Sequence, residues 1–211
     1  VAVDHEQIIT ALLRHLVCAV AREFTGTGAD GSAVIAGVSS FDGLRVGCPI
    51  IGPGVQADTV IYEMDAESAS LVLSQPLGEG AGEGCFNTGF LTTGRRVIPW
   101  DKVTEQPALF LRHVRDEDNF SGDNNLGAVT IELEAWIYSR AGQDPSVAPD
   151  ISLNVLAEMI RDALEPDDLI ANAFTLDGLV YRCRIEGDSE FDPGDLDAQG
   201  KALIPIKILI P

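Results

Sequence analysis

Two stretches of this chain alternate apolar and polar side chains with a period of two, and that alternation most restricts how it can fold. Residues 128–138 place Val129, Ile131, Leu133, Ala135 and Ile137 on one side and Thr130, Glu132, Glu134, Trp136 and Tyr138 on the other. Residues 201–210 set Ala202, Ile204, Ile206, Ile208 and Ile210 against Lys201, Leu203, Pro205, Lys207 and Leu209. A β-strand turns successive side chains to opposite faces, so each stretch reads as a half-buried strand. A polar second face marks an antiparallel sheet. Pro205 cannot donate a ladder hydrogen bond, which predicts an edge position or a bulge for the last strand. A further strand is expected over 179–186, with Leu179, Tyr181, Cys183 and Ile185 on one face, and a short one over 108–111.

Two segments carry helical spacing instead. Over 4–24, Ile8, Ile9, Leu12, Leu13, Leu16, Val17 and Val20 form one apolar stripe. Asp4 can cap its start, with Gln7 completing a capping box, and Gly26 and Gly28 stand as its stop. Over 151–164, Leu153, Leu156, Ile160, Ala163 and Leu164 make a second stripe that Pro166 ends. A polar loop over 119–125 and turn-rich linkers over 144–150 and 192–200 separate these elements.

Between about 25 and 93 the texture changes. Short runs at 33–35, 44–46, 59–62 and 70–73 lie between Gly, Pro and Asp turns such as Asp42-Gly43 and Gly52-Pro53-Gly54. This spacing reads as a small all-β module. The flanking segments make better sense joined to each other, so the expected organisation is an α+β domain from 1–24 and 94–211 with an inserted β-rich module at 25–93. The fold class is α+β: an antiparallel or mixed sheet packed by two helices, plus a small inserted all-β domain. The absence of βαβ repeats argues against a doubly wound nucleotide-binding sheet.

Charge narrows the function classes. Lys and Arg total 14 and Asp and Glu 33, a net charge of −19. That balance disfavours general affinity for nucleic-acid phosphates or anionic lipid. No apolar run approaches 18 residues, and Asp4 and Glu6 sit where a secretory leader needs positive charge, so neither a membrane span nor a leader is expected here. Cys18, Cys48, Cys85 and Cys183 have the spacing of neither a zinc site nor a disulfide framework, and read as buried free thiols. The sequon Asn119-Phe120-Ser121 matters only in a secreted protein.

The catalytic and ligand-binding motifs are all incomplete. Gly26-x-Gly28-x-x-Gly31 follows a helix and enters a β region, the reverse of the dinucleotide-binding context, and reads as a flexible junction. Asp195, Asp197 and Gly200 resemble the start of a calcium loop, but its twelfth position is Ile206. The acidic cluster at 116–118 has Phe120 where a ligand is needed. His5-Glu6 lacks the second His of a zinc-protease helix, and no G-x-S-x-G is present. No enzyme activity, cofactor or metal is expected. Two basic spots stand out of the acidic background: Arg95 and Arg96, followed by Trp100, and the pair Arg182 and Arg184. They read equally as local ion pairs or as subunit-interface anchors, where Arg and Trp are enriched.

An ordered series of segments resembles the tail terminator (tail completion) proteins of long-tailed bacteriophages. It comprises Arg95-Arg96, Trp100-Asp101, Gln106-Pro107-Ala108-Leu109-Phe110, Trp136-Ile137-Tyr138, and the Asp144-Pro145 linker into the second helix. Phe174 to Val180, Arg184-Ile185-Glu186-Gly187 and Ile204 to Ile208 complete it. With the first helix and residues 90–103, the resemblance covers about two-thirds of the chain. The 25–93 module, from Gly43-Leu44-Arg45 through Thr59-Val60-Ile61, is similar to small β modules that decorate phage structural proteins. The resemblance implies a homo-hexameric ring at the head-proximal end of the virion tail, assembled in the host bacterial cytoplasm. It implies two partners, the tail tube protein and the head–tail connector or neck protein, with DNA passing the lumen without specific binding. An acidic lumen would repel DNA phosphates within a Debye length of roughly 8 Å. Two other readings stay open: another tube or head–tail joining component, and a carbohydrate- or receptor-binding module that would stack sugars on Phe41, Tyr62, Phe86 and Phe90.

Overall fold

The computed structural model describes residues 4–119, 128–140, 151–166, 170, 172–194 and 199–210. The Asn119-Phe120-Ser121 sequon beyond Asn119, the 144–150 linker and the calcium-like turn at 195–198 lie outside the described residues. Among the described residues, two helices pack on twelve strands arranged in two mostly antiparallel sheets, an α+β fold.

Helix α1 spans His5–Val20, and the Asp4 carboxylate caps it by accepting from the Glu6 N–H at 3.0 Å. Its buried stripe is Ile8, Ile9, Leu12, Leu16 and Val20. The helix ends four residues before the expected 24. Ala21 is already extended, and Arg22–Gly28 forms strand β1. Gly26 and Gly28 therefore do not stop a helix or make a flexible junction. They alternate with Phe24 along the inward side of the strand, where a Cβ on Gly26 would sit 2.5 Å from Ile35 Cγ2 and one on Gly28 2.2 Å from Leu77 Cδ1. Glycine here leaves the space that the Ile35 and Leu77 side chains fill.

Strands β1, β2 (Val34–Ala36), β3 (Ile50–Ile51), β4 (Ile61–Asp65), β5 (Ser70–Leu73) and β6 (Glu83–Thr88) form the first sheet in the order β3-β6-β1-β2-β5-β4. Its two ends are stitched together. The Gly47 N–H donates to the Ile61 carbonyl at 2.7 Å, the Ile61 N–H to Cys48 at 3.0 Å, and the Ile50 N–H to Thr59 at 3.1 Å. The sheet thus closes into a small barrel around Phe24, Ile35, Ile61, Leu71 and Phe86. Residues 44–46, expected as a strand, join no ladder: the chain turns at Val46-Gly47, and Cys48 packs against Met159.

The second sheet is built from longer strands: β7 (Thr92–Gly94), β8 (Ala108–Asn119), β9 (Ala128–Arg140), β10 (Arg182–Ile185), β11 (Glu190–Asp192) and β12 (Gln199–Ile210). Its order is β10-β12-β9-β8-β7, with β11 also paired to β12; only β7 and β8 run parallel. The apolar rows of both alternating stretches face inward under α1 and α2 (Ile151–Ala163), burying Ile131, Leu133, Ile137, Ile204, Ile206 and Ile208 against Leu12, Leu16, Leu156 and Ile160.

Three expectations are corrected. β12 is not an edge: it pairs with β9 on one side and with β10 and β11 on the other. Pro205 is tolerated because it faces the gap where the chain leaves β10 at Gly187 and returns in β11. The Pro205 carbonyl accepts the Glu186 N–H at 3.1 Å, where the β10 ladder has ended and the β11 ladder has not begun. The strand expected over 179–186 shrinks to 182–185. Leu176 and Asp177 take positive φ in a turn, so Leu179 and Tyr181 are exposed and only Cys183 of the expected face is fully buried. β8 runs far past Leu111, and residues 112–118 are all exposed and, apart from Val114, ionisable.

The barrel sits on α2. A Cβ on Gly47 would meet Ile151 Cγ2 at 2.6 Å, Cys48 Sγ lies 3.6 Å from Met159 Sδ, and Arg45 pairs with Asp162. Both parts share one continuous buried cluster. Cys48 and Cys183 are buried as expected, whereas Cys18 and Cys85 are exposed, on the outer sides of α1 and β6. None is disulfide-bonded. Among the described residues, no helix is long and apolar enough to cross a membrane.

Candidate functional site

The face of the long sheet turned away from the helices carries a cross-strand charge ladder. Registers align its outward residues in rows. Arg112 lies opposite Glu134 and then Pro205; Arg115 opposite Glu132, Lys207 and Arg184; Glu117 opposite Thr130, Leu209 and Arg182. A bulge between His113 and Arg115 inserts Val114 and restores Arg115 to the outward side.

The middle row is fully knit. Arg115 donates to both Glu132 oxygens at 2.8 and 3.0 Å, and Lys207 reaches Glu132 at 3.2 Å and Glu186 at 3.3 Å. Arg184 closes the row on Glu186. The Arg115 hydrogen bond, helped by Lys207, holds the Glu132 carboxyl below its ordinary range, and Arg184 followed by Lys207 does the same to Glu186. The carboxylates in turn hold Lys207 and Arg115 more firmly protonated. In the next row, Trp136 Nε1 donates to Glu134 at 2.8 Å, beside Arg112 at 3.4 Å. Lys201 pairs with Asp192 at 2.9 Å.

This face is electrically balanced in a chain that is not. Arg112, Arg115, Arg182, Arg184, Lys201 and Lys207 meet Glu117, Glu132, Glu134, Glu186, Glu190 and Asp192. The whole chain sets 14 cations against 33 carboxylates. Leu203, Pro205, Leu209 and Trp136 lie between the charges, half-buried. A neutral, partly apolar face is suited to contact with another acidic protein surface, because approach there carries the least charge repulsion.

The sequence-predicted residues fall into two separated groups. Arg95 and Trp100 sit beside the β7 edge, in the segment that folds over one end of the outward face. There Val97, Ile98 and Trp100 cover Phe110 and Tyr138, and the Tyr138 hydroxyl donates to the Ile98 carbonyl at 3.2 Å. Arg95 reaches Glu6 at 3.0 Å, while its Nε and the Trp100 Nε1 are buried without an acceptor among the described residues. Arg96 is exposed. Arg182 and Arg184 lie on the opposite edge, on β10. Arg184 is engaged by Glu186, but Arg182 has no carboxylate partner among the described residues. Sequence reasoning missed Arg112, Arg115, Glu132, Glu134 and Lys207 as one network. Their period-two placement was visible, but the strand register that aligns them was not.

Other chemistry is accounted for locally. His15 Nε2 donates to the Ala163 carbonyl at 2.7 Å, and His113 and His5 flank the two oxygens of Asp116 at 2.8 and 3.4 Å. Among the described residues no cluster of His, Cys, Asp or Glu has metal-binding geometry. A cleft of about 290 Å³ separates the barrel from the top of the long sheet. Asp58 and Arg140 approach to 3.8 Å in it, beside the buried Ser139–Ser152 hydroxyl pair at 2.7 Å. Of the four aromatics named for sugar stacking, Phe86 is buried, Phe41 and Phe90 pack on the core, and Tyr62 alone is exposed. No protein-family model matches the sequence, and no curated protein matches it.

Proposed function

We propose that this chain is a structural component of a phage virion, a tail terminator that closes into a six-membered ring on the end of the tail tube. The ring stops tube growth and offers its other side to the head–tail connector, working by shape and charge rather than by bond-making chemistry. The observation that carries this reading is the balanced outward face of the long sheet, with a β8 edge that no strand covers beyond Phe110 among the described residues, in a chain of net charge −19. Copies so acidic repel one another unless contact is confined to a neutral surface. A sheet with an unpaired edge is a template for further association unless a closed ring removes it.

Several of the segments behind the resemblance share this sheet. Residues 108–110 and 136–138 lie side by side in β8 and β9, 204–208 in the neighbouring β12, and 184–185 in β10; residues 95–103 cover one end. DNA would pass the lumen without specific binding, kept from sticking by the overall acidity. The barrel decorates the ring.

Electron microscopy of the purified chain, alone and mixed with tail tubes, tests the reading. Six-membered rings seated at one end of the tubes, and tubes that no longer elongate, are expected. A chain that stays monomeric and never associates with tubes overturns it. Helical polymers of the chain itself would instead mark it as a tube protein.

A further inference from the structure

We propose that neighbouring copies join head to tail along the edges of the long sheet, Arg182 on the β10 edge of one copy meeting Glu117 on the β8 edge of the next. The inference deepens the ring reading and rests on it.

The argument starts from one row of the outward face. Glu117, Thr130, Leu209 and Arg182 lie side by side across β8, β9, β12 and β10. The row begins with an acid at one edge of the sheet and ends with a cation at the other. Strands in a sheet are spaced by about 4.8 Å, so the two ends are roughly 14 Å apart in one copy. Among the described residues neither forms an ion pair there, although both line one pocket of about 230 Å³ with Thr130 and Leu209 and the neighbouring rows are paired. A head-to-tail neighbour repeats the row and places the acidic end beside the cationic end at each junction. A contact between two different patches closes into a ring when the rotation allows.

The backbone agrees with this direction. β7 pairs with β8 only at 108–110, so 111–119 have no strand on their outer side among the described residues. The bulge at Val114 and the charges that follow keep that edge from indiscriminate pairing. The β10 edge is partly occupied, since the Cys183 N–H donates to the Phe174 carbonyl at 2.7 Å. Side chains rather than a long ladder must therefore carry the junction, and it should be salt-sensitive.

The test uses the full-length chain and reads its mass in solution by light scattering and native mass spectrometry. Arg182→Glu alone and Glu117→Lys alone should each raise the concentration needed for assembly at least tenfold, with circular dichroism unchanged. Mixing the two variants should restore rings containing equal numbers of each, because every junction again joins opposite charges. Raising NaCl from 0.1 to 0.5 M should weaken the wild-type assembly. If the wild type forms rings and neither substitution affects them, or the mixture fails to recover, the edge contact is wrong while the ring reading stands. If the wild type forms only two-membered pairs through β8 edges, insensitive to Arg182→Glu, the head-to-tail contact is overturned. A wild type that neither assembles nor binds tubes takes the ring reading down first.

Discussion

The barrel and the long sheet reach a packed interior by opposite means. In the long sheet, strands of 12 or 13 residues present rows of branched side chains, and burial follows their alternation. In the barrel, strands of two to seven residues curl around a few large side chains, and inward glycines make room for neighbouring side chains such as Ile35 and Leu77. One region is specified by what its side chains add and the other by what they leave out. The two should therefore fail under opposite substitutions.

The largest effect is expected from adding atoms to the barrel. Gly54 has φ 71°, and a Cβ there would lie 2.7 Å from the Ala81 backbone nitrogen, a neighbour that cannot swing away. Gly54→Val should cost roughly 4 kcal/mol from left-handed strain plus overpacking, read as a lower urea midpoint. Removing atoms from the long sheet comes next. Ile206 is fully buried, and Ile206→Ala should cost about 3 kcal/mol in the same assay. A reversed order, with the glycine tolerated and the isoleucine decisive, would break the contrast between the regions. Gly26→Ala sharpens it, with an expected loss of about 1–2 kcal/mol because the Ile35 methyl must shift.

Thiol labelling separates surface from interior without changing the sequence. Cys183, buried and pushed up to about 12 by desolvation, and Cys48, raised by the same cause, should resist alkylation until the chain unfolds. Cys18 should react first. Cys85, though exposed, is slowed because its hydrogen bond to Glu23 raises its pKa.

The smallest effect is in pH. Glu132 is depressed in the folded state, so its stabilising contribution is present above the unfolded carboxylate range. It is lost as pH falls through the folded value. Urea unfolding at pH 7 and pH 3 should therefore show Glu132→Gln more destabilising at pH 7 than at pH 3. An equal loss at both values would mean that the residue acts by packing.

The same contrast decides what could be read from the sequence. The alternating rows around Ile131 and Ile206 and the stripes of both helices are local periodicities, so the α+β class and the inward faces were legible. In β1 the inward positions are Phe24, Gly26 and Gly28, and a strand whose core residues are mostly hydrogen atoms has no apolar period to detect. The outer half of β8 failed for a related reason: residues 112–118 are exposed on both faces, so nothing alternates. At the candidate surface, Arg182 and Arg184 were visible as cations against an acidic background. Glu132, Lys207 and Arg115 became a unit only through register, which is set by contacts far apart in sequence. Trp100 was singled out as an anchor, but the chain's return over Phe110 and Tyr138 places it on an intramolecular cluster.

Pro205 has a role that its own contacts do not reveal. Isoleucine at 204, 206, 208 and 210 repeats so evenly that sliding β12 by two residues would leave the hydrophobic pattern unchanged. Such a strand could settle in several frames of similar energy. The imide ring sits beside the gap at Gly187, and a slide that carried it alongside Arg184 would set it against a ladder carbonyl with no N–H to offer. One ring thus serves as an indexing mark on an otherwise uniform ruler, blocking movement in that direction.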